Sequence, residues 1–182
     1  MKLALLDRDG VLNHNTPEGI RTPAELKVFP FAGEAVHLLN EAGYKVAIVT
    51  NQSNIGRGIV TEETLKKIHE KLVTTLHDGL GRVDLILFAP DHPDHATERR
   101  KPGPGMLLEA MSHYHTYPEH AVMVGDSAID MQAAHRAGVE KKFLVRTGNG
   151  AATERTGLPP SVGAVHVVDN LLVAAKKIVG KA

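Results

Sequence analysis

Two acidic residues, Asp7 and Asp9, stand two positions apart directly after an apolar run, Leu3-Ala4-Leu5-Leu6. At a strand end, where alternate side chains share a side, this spacing brings both carboxylates to one cavity, and carboxylates that close repel unless a cation or a proton intervenes. Three more polar clusters follow apolar runs further along: Thr50-Asn51-Gln52-Ser53, Arg100-Lys101-Pro102, and Gly125-Asp126-Ser127 with Asp130. Together they supply the parts of a phosphoryl transfer. Asp7 attacks phosphorus as a carboxylate nucleophile, which splits hydrolysis into two easier steps. Asp9 protonates the leaving oxygen and later activates water. Thr50 and Lys101 hold the phosphoryl oxygens as charge redistributes over them. Mg²⁺ suits the acidic part, because it takes hard oxygen ligands and keeps waters; Asp7, a backbone carbonyl near Asp9, and Asp126 form a plausible shell. Taken singly, each cluster also reads as a turn or a helix cap. All four in order, each after a predicted strand, carry the reading.

Such residues need a scaffold that gathers strand ends. In open parallel sheets the ligand lies beyond the carboxyl ends of the strands. Apolar runs at 3–6, 45–49, 84–89, 121–124, 142–145 and 165–168 predict six strands. Between them the pattern predicts helices over 34–42, from the Thr61 cap along the stripe Leu65, Ile68, Leu72 and Leu76, from Gly103-Pro104 to Tyr114, from Ser127 to Gly138, and over 169–179. The expected fold is therefore α/β, a doubly wound parallel sheet with helices on both faces, in one domain spanning 1–182. The stretches between Asp9 and Thr50 and between Thr50 and Lys101 are already filled by helices and connections, so no large cap domain is expected. Residues 8–31 and 90–103 read as loops that supply specificity to an open site.

Composition narrows the function classes. With 42% hydrophobic and 23% charged residues in 182, the chain reads as globular rather than disordered. Lys plus Arg equals Asp plus Glu at 21 each, so there is no general positive field to gather nucleic acid or anionic lipid. Without cysteine, neither a disulfide framework nor a thiolate metal site forms. The first apolar run is too short for a signal peptide and no stretch reaches a membrane span. A cytoplasmic monomer acting on a small phosphorylated molecule, with neither nucleic acid nor membrane as partner, is the expectation.

The four clusters resemble the motifs of the haloacid dehalogenase superfamily. Residues 6–13, 49–53 with Ile55-Gly56-Arg57-Gly58, 100–106, 124–134 and Val145-Arg146-Thr147-Gly148 are similar to its branch of heptose-bisphosphate and histidinol-phosphate phosphatases. The resemblance implies a Rossmann-like core, Asp7 as nucleophile and metal ligand, Asp9 as acid/base and backbone metal ligand, Asp126 as metal ligand, and Thr50 and Lys101 as phosphoryl-stabilising groups. It further implies substrate contacts from Arg8, Asn51, Gln52, Ser53 and Arg100, with Asn15–Glu18 over the entrance. The implied substrate is a heptose bisphosphate, with histidinol phosphate as the alternative. Two departures stand out. Ser127 occupies a position where the heptose enzymes often carry Lys. Related chains also hold a structural Zn²⁺ in the loop before Arg100 with three cysteines and a histidine, whereas this loop reads Pro90-Asp91-His92-Pro93-Asp94-His95. Zn²⁺ is not expected here; Asp91, His92, Asp94 and His95 are the residues left to bind one, and Pro90, Pro93, Pro102 and Pro104 restrict the loop instead. A receiver-type phospho-acceptor module shares an acidic cluster, a Thr and a Lys, but places its acceptor after the third strand, whereas the Asp7/Asp9 pair follows the first.

Overall fold

In the computed structural model, which describes Met1 to Lys181, six strands form one sheet. They are β1 (Lys2–Leu6), β2 (Tyr44–Asn51), β3 (Leu85–Ala89), β4 (Ala121–Gly125), β5 (Lys141–Val145) and β6 (His166–Val168). All neighbours are parallel and the order is β3-β2-β1-β4-β5-β6. The winding reverses between β1 and β4, the switch point at which open sheets of this kind leave a crevice. The expected α/β doubly wound class is the one observed, and no strand or helix forms a separate cap layer among the described residues.

Among the described residues seven α-helices join the strands: α1 (Ala32–Glu41), α2 (Ser53–Gly56), α3 (Glu62–Asp78), α4 (Gly105–His113), α5 (Ala128–Arg136), α6 (Gly150–Thr156) and α7 (Leu171–Ile178). Strand alternation divides the core in two. Ala4, Leu6, Val46 and Ile48 pack under α1, α3 and α7, while Leu3, Leu5, Ala47 and Val49 pack under α4 and α5. Because both faces are covered, the strands are continuously apolar rather than alternating, which is why they were visible as runs. Thr61 caps α3, its side chain accepting from the Thr64 amide at 3.1 Å. The periodicity did not predict α2 or α6. The first has only four residues, and the second buries only Gly150, so neither has an apolar stripe to read. No helix among the described residues is long and apolar enough to cross a membrane.

Candidate active site

The backbone amide of Asp7 donates to the Val124 carbonyl at 3.0 Å, prolonging the β1–β4 ladder by one residue before the strands part. At that fork the carboxylates of Asp7, Asp126 and Asp130 converge, with one oxygen of each within 4.8 Å of the others. Between them lies Lys101, whose ammonium donates to Asp130 Oδ1 at 2.7 Å, the Val49 carbonyl at 2.8 Å and Asp7 Oδ1 at 2.9 Å. All three of its hydrogens are thereby engaged. Burial alone would drive this lysine towards the neutral form, but Asp130 and Asp7 outweigh it and raise its pKa. Asp130 is fully satisfied as well: its Oδ2 accepts from the backbone amides of Asp126 and Ser127 and from the Ser127 hydroxyl. Ser127 thus has a structural partner in the first turn of α5.

Three buried carboxylates face one ammonium, so the cluster carries an excess of two negative charges. Burial, aided by Asp130 and Asp126, pushes the Asp7 carboxyl well up despite Lys101. Burial and Asp130 push Asp126 to about 7. Among the described residues no donor reaches Asp7 Oδ2, Asp126 Oδ1 or the Asp9 carbonyl. These are hard oxygen donors beside an unbalanced double charge, and they fit a Mg²⁺ ion, whereas Asp130 has no oxygen left for one. Asp126 Oδ2 accepts from the Asn149 amide at 2.8 Å. It is also closed in by two glycines with positive φ: a Cβ on Gly10 would stand 2.0 Å from that oxygen, and one on Gly148 2.3 Å. The Thr147 hydroxyl donates to the Gly10 carbonyl at 2.6 Å and pins the two segments together.

Asp9 belongs to a second cluster. Its carboxylate receives Arg8 Nε at 3.1 Å, Arg8 Nη2 at 3.0 Å on each oxygen, Asn13 Nδ2 at 2.9 Å and Gln52 Nε2 at 3.0 Å. Burial raises the Asp9 pKa, but Arg8 and the two amides outweigh it and hold the carboxyl below its usual range. The expected substrate contact from Arg8 is corrected by this geometry. The side chain is 0% exposed, uses Nε and Nη2 on Asp9, and directs Nη1 to His69 Nε2 at 3.1 Å. Sequence reasoning passed over His69, although it lies four residues after Leu65 on the buried stripe of α3.

The neighbouring cavity, of about 430 Å³, is lined by Asp9, Gln52, Ser53, Asn54 and Arg57 together with Pro17–Gly19 and Arg21 of the first loop. The Glu18 end of the expected entrance stretch is there. Gln52 contributes while bonding Thr50 Oγ1 at 2.9 Å, which leaves the buried Thr50 hydroxyl its own proton to donate. Asn51 also borders the cavity, but its amide group is engaged elsewhere: Nδ2 donates to the Lys101 carbonyl at 2.9 Å and Oδ1 accepts from the Lys101 amide at 3.0 Å. Both bonds hold Lys101 in place. Arg100 is not a lining residue; it is half-buried, with Nη1 donating to the Asp91 carbonyl at 3.3 Å. Burial lowers its pKa; the charge of Asp91 opposes that fall and the charge of Arg57 adds to it. Of the two arginines on the cavity wall, Arg21 is paired with Glu18 and Glu25, whereas no carboxylate pairs Arg57 among the described residues. A larger groove of about 750 Å³ lies away from the carboxylates, between α3 and β3.

The loop before Arg100 is pinned by its own side chains. Asp91 Oδ2 accepts from the Thr97 amide at 2.7 Å and its hydroxyl at 2.6 Å, and Arg99 Nε donates to the Phe88 carbonyl at 3.0 Å. His92 Nδ1 accepts from the Asp94 amide at 3.1 Å. Asp91 and His92 thus point at neighbouring chain rather than at a common centre.

Comparison with known proteins follows the same residues. A HAD-hydrolase-like family model matches residues 98–174, the stretch holding Lys101, Asp126 and Asp130. The D-glycero-beta-D-manno-heptose-1,7-bisphosphate 7-phosphatase of Pseudomonas putida is 37% identical over 179 residues, covering 98% of this chain and all of that protein. The enzyme of the same name from Pseudomonas aeruginosa is 40% identical over 86% of this chain and 88% of its own. The crystal structure of D,D-heptose 1,7-bisphosphate phosphatase from B. bronchiseptica, complexed with magnesium and phosphate, superposes with a TM-score of 0.92 at 36% identity over both whole chains.

Two outcomes are expected from this geometry. An acid whose folded pKa is raised binds its proton more tightly in the folded state, so it costs stability progressively as pH rises from its unfolded value to its folded one. Asp126→Asn should therefore raise the melting temperature of metal-free protein, and the gain should grow between about 4 and about 7. Mg²⁺ should stabilise the parent and not the variant; a gain that is flat with pH would contradict the charge assignment. For the loop, exhaustive chelation should leave the melting temperature at that of Mg²⁺-free protein and elemental analysis should find no retained zinc, whereas Asp91→Ala should open residues 91–99 to limited proteolysis. Stoichiometric zinc would overturn this.

Proposed function

Because this chain belongs to the haloacid dehalogenase-like hydrolases and is a phosphatase, we propose that it cleaves D-glycero-D-manno-heptose 1,7-bisphosphate at C7 with Mg²⁺ present, Asp7 being the nucleophile. The observation that carries this is the free oxygen of Asp7 beside Lys101, two residues from Asp9, which lines an open polar cavity whose wall bears the unpaired guanidinium of Arg57. One end of a bisphosphate would meet the carboxylates and the other the arginine. Arg57 and Arg100 repel each other, and an anion near both would relieve that repulsion. The remote phosphate would then orient the reacting one, converting binding energy into rate. The full-length relatives, which carry this activity in their names, support the choice of substrate.

In this mechanism the Asp7 carboxylate attacks phosphorus while Lys101, bonded to Oδ1, fixes its orientation. Once the carboxylate is phosphorylated it gives up its charge to the leaving oxygen, and Lys101 can turn a hydrogen bond to the phosphoryl oxygens. The Thr50 hydroxyl donates to the same group. A Mg²⁺ ion held by Asp7, Asp126 and the Asp9 carbonyl would supply the two positive charges the cluster lacks. Asp9 serves the proton steps. Its five hydrogen bonds favour the ionised form, which suits it to take a proton from water attacking the aspartyl-phosphate. Donating to the leaving oxygen runs against that preference, so the first step is the one more sensitive to how firmly Asp9 is held.

Asp7→Asn should abolish turnover with the fold intact, as read by circular dichroism, and a substantial residual rate would remove Asp7 from the nucleophile role. Asp9→Asn should slow turnover by about two to four orders of magnitude while Mg²⁺ binding survives. The substrate is tested by kcat/KM: the heptose bisphosphate should exceed histidinol phosphate and simple monophosphates. Arg57→Ala should lower the bisphosphate value about tenfold to a hundredfold, the size of a charge-assisted contact, and leave monophosphates nearly unchanged. Faster turnover of histidinol phosphate would end the heptose assignment and leave the phosphatase standing.

A further inference from the structure

Arg8 carries a full charge with no exposed surface, and a buried guanidinium must have its donors matched or it will turn towards other acceptors. Nε and Nη2 are matched by Asp9, and the remaining contact is Nη1 with His69 Nε2 at 3.1 Å. Arginine is always protonated, so His69 must be the acceptor, with its own proton on Nδ1. Burial and the charge of Arg8 hold the imidazole neutral, its pKa lowered to about 4. The ring itself has little freedom. It sits 8% exposed on α3, with its centroid 6.4 Å from that of Phe88 on β3.

From this geometry we infer that His69 is a positioning residue for the proton-transfer steps: by accepting from Arg8 it fixes the guanidinium that aligns Asp9. His69 touches neither the cavity beside Asp9 nor the carboxylate cluster, and it acts only through Arg8. Removing the acceptor leaves Nη1 unmatched and free to pull the guanidinium, and Asp9 with it, out of line with the leaving oxygen. Small misplacements of a catalytic group are costly in rate. The inference rests on the assignment of Asp9 as the proton donor.

The leaving group separates this role from a merely structural one. An alkoxide needs a proton as it departs, whereas nitrophenolate does not, and kcat/KM reports the steps up to that departure. His69→Leu should therefore lower kcat/KM about tenfold or more on the alkyl phosphate the parent turns over fastest, and less than about threefold on nitrophenyl phosphate. His69→Gln, which keeps an acceptor, should restore most of the loss. Equal losses on both substrates, or no loss, would overturn the inference if Asp9→Asn in parallel does discriminate between them. If Asp9→Asn does not discriminate, the acid/base role of Asp9 falls and takes the inference with it. Should His69→Leu not fold, His69→Ala is measured with and without imidazole, because the groove of about 750 Å³ that His69 lines leaves a path to the vacated position. Recovery confined to the alkyl phosphate supports the role, and no recovery overturns it.

Discussion

Asp7, Asp126 and Asp130 meet within 4.8 Å around a single ammonium, and this excess of buried negative charge governs the structure near the sheet's switch point. The protein resolves part of it internally. Asp130 is neutralised by Lys101 and by the amides at the start of α5, where the helix end itself favours an anion. What remains, on Asp7 and Asp126, is left without donors on one oxygen each. Burial and mutual repulsion therefore leave both groups with a raised affinity for a proton or a cation, a perturbation of the kind concentrated at functional sites. The close glycines belong to the same arrangement, since Asp126 reaches its place only because Gly10 and Gly148 have no side chain there.

The alternation of one strand sorts the supporting groups into two layers. Leu3 and Leu5 face α4 and α5, and Asp7, next in that series, finds Lys101 just before α4 and Asp130 in α5. Ala4 and Leu6 face α1, α3 and α7, and Arg8, next in that series, finds His69 on α3. Asp7 and Asp9, the proposed nucleophile and proton-transfer group, thus lie two residues apart yet draw their support from opposite faces of the sheet. Their supporting contacts share no side chain, so damage to one layer need not displace the other.

Much of this was legible in the sequence. Six apolar runs became six strands because both sheet faces are covered, and the four polar clusters fell at strand ends as the parallel topology requires. The errors lay in where side chains point. Arg8 and Asn51 were expected to touch substrate because they neighbour catalytic positions, but a cation or an amide in a motif is as easily used on the protein itself. Only the partners, His69 at sequence separation 61 and Lys101 at 50, decide between the two uses. The parity of Arg8 with Ala4 and Leu6 was the available signal, as was a histidine on the apolar stripe of α3. Nothing local marked Arg57 as the free cation of the cavity, since that depends on which carboxylates the folded loops bring near Arg21 instead.

The same division explains how a site without a cap domain can still choose its substrate. The reacting groups are buried and mutually fixed, so they leave little room for variation. The cavity wall, in contrast, is built from the short helix α2 and the entrance loop, joined by Asn54 Nδ2 to the Glu18 carbonyl at 2.8 Å. The Arg21 ion pairs beside it are exposed and add little rigidity. On the proposed reading, recognition rests on the few groups that remain unpaired on this wall, Arg57 above all. None of them bonds Asp7 or Lys101, so on that reading changing them would alter what is bound while leaving the reacting core in place, and one chemical core could serve different phosphate esters.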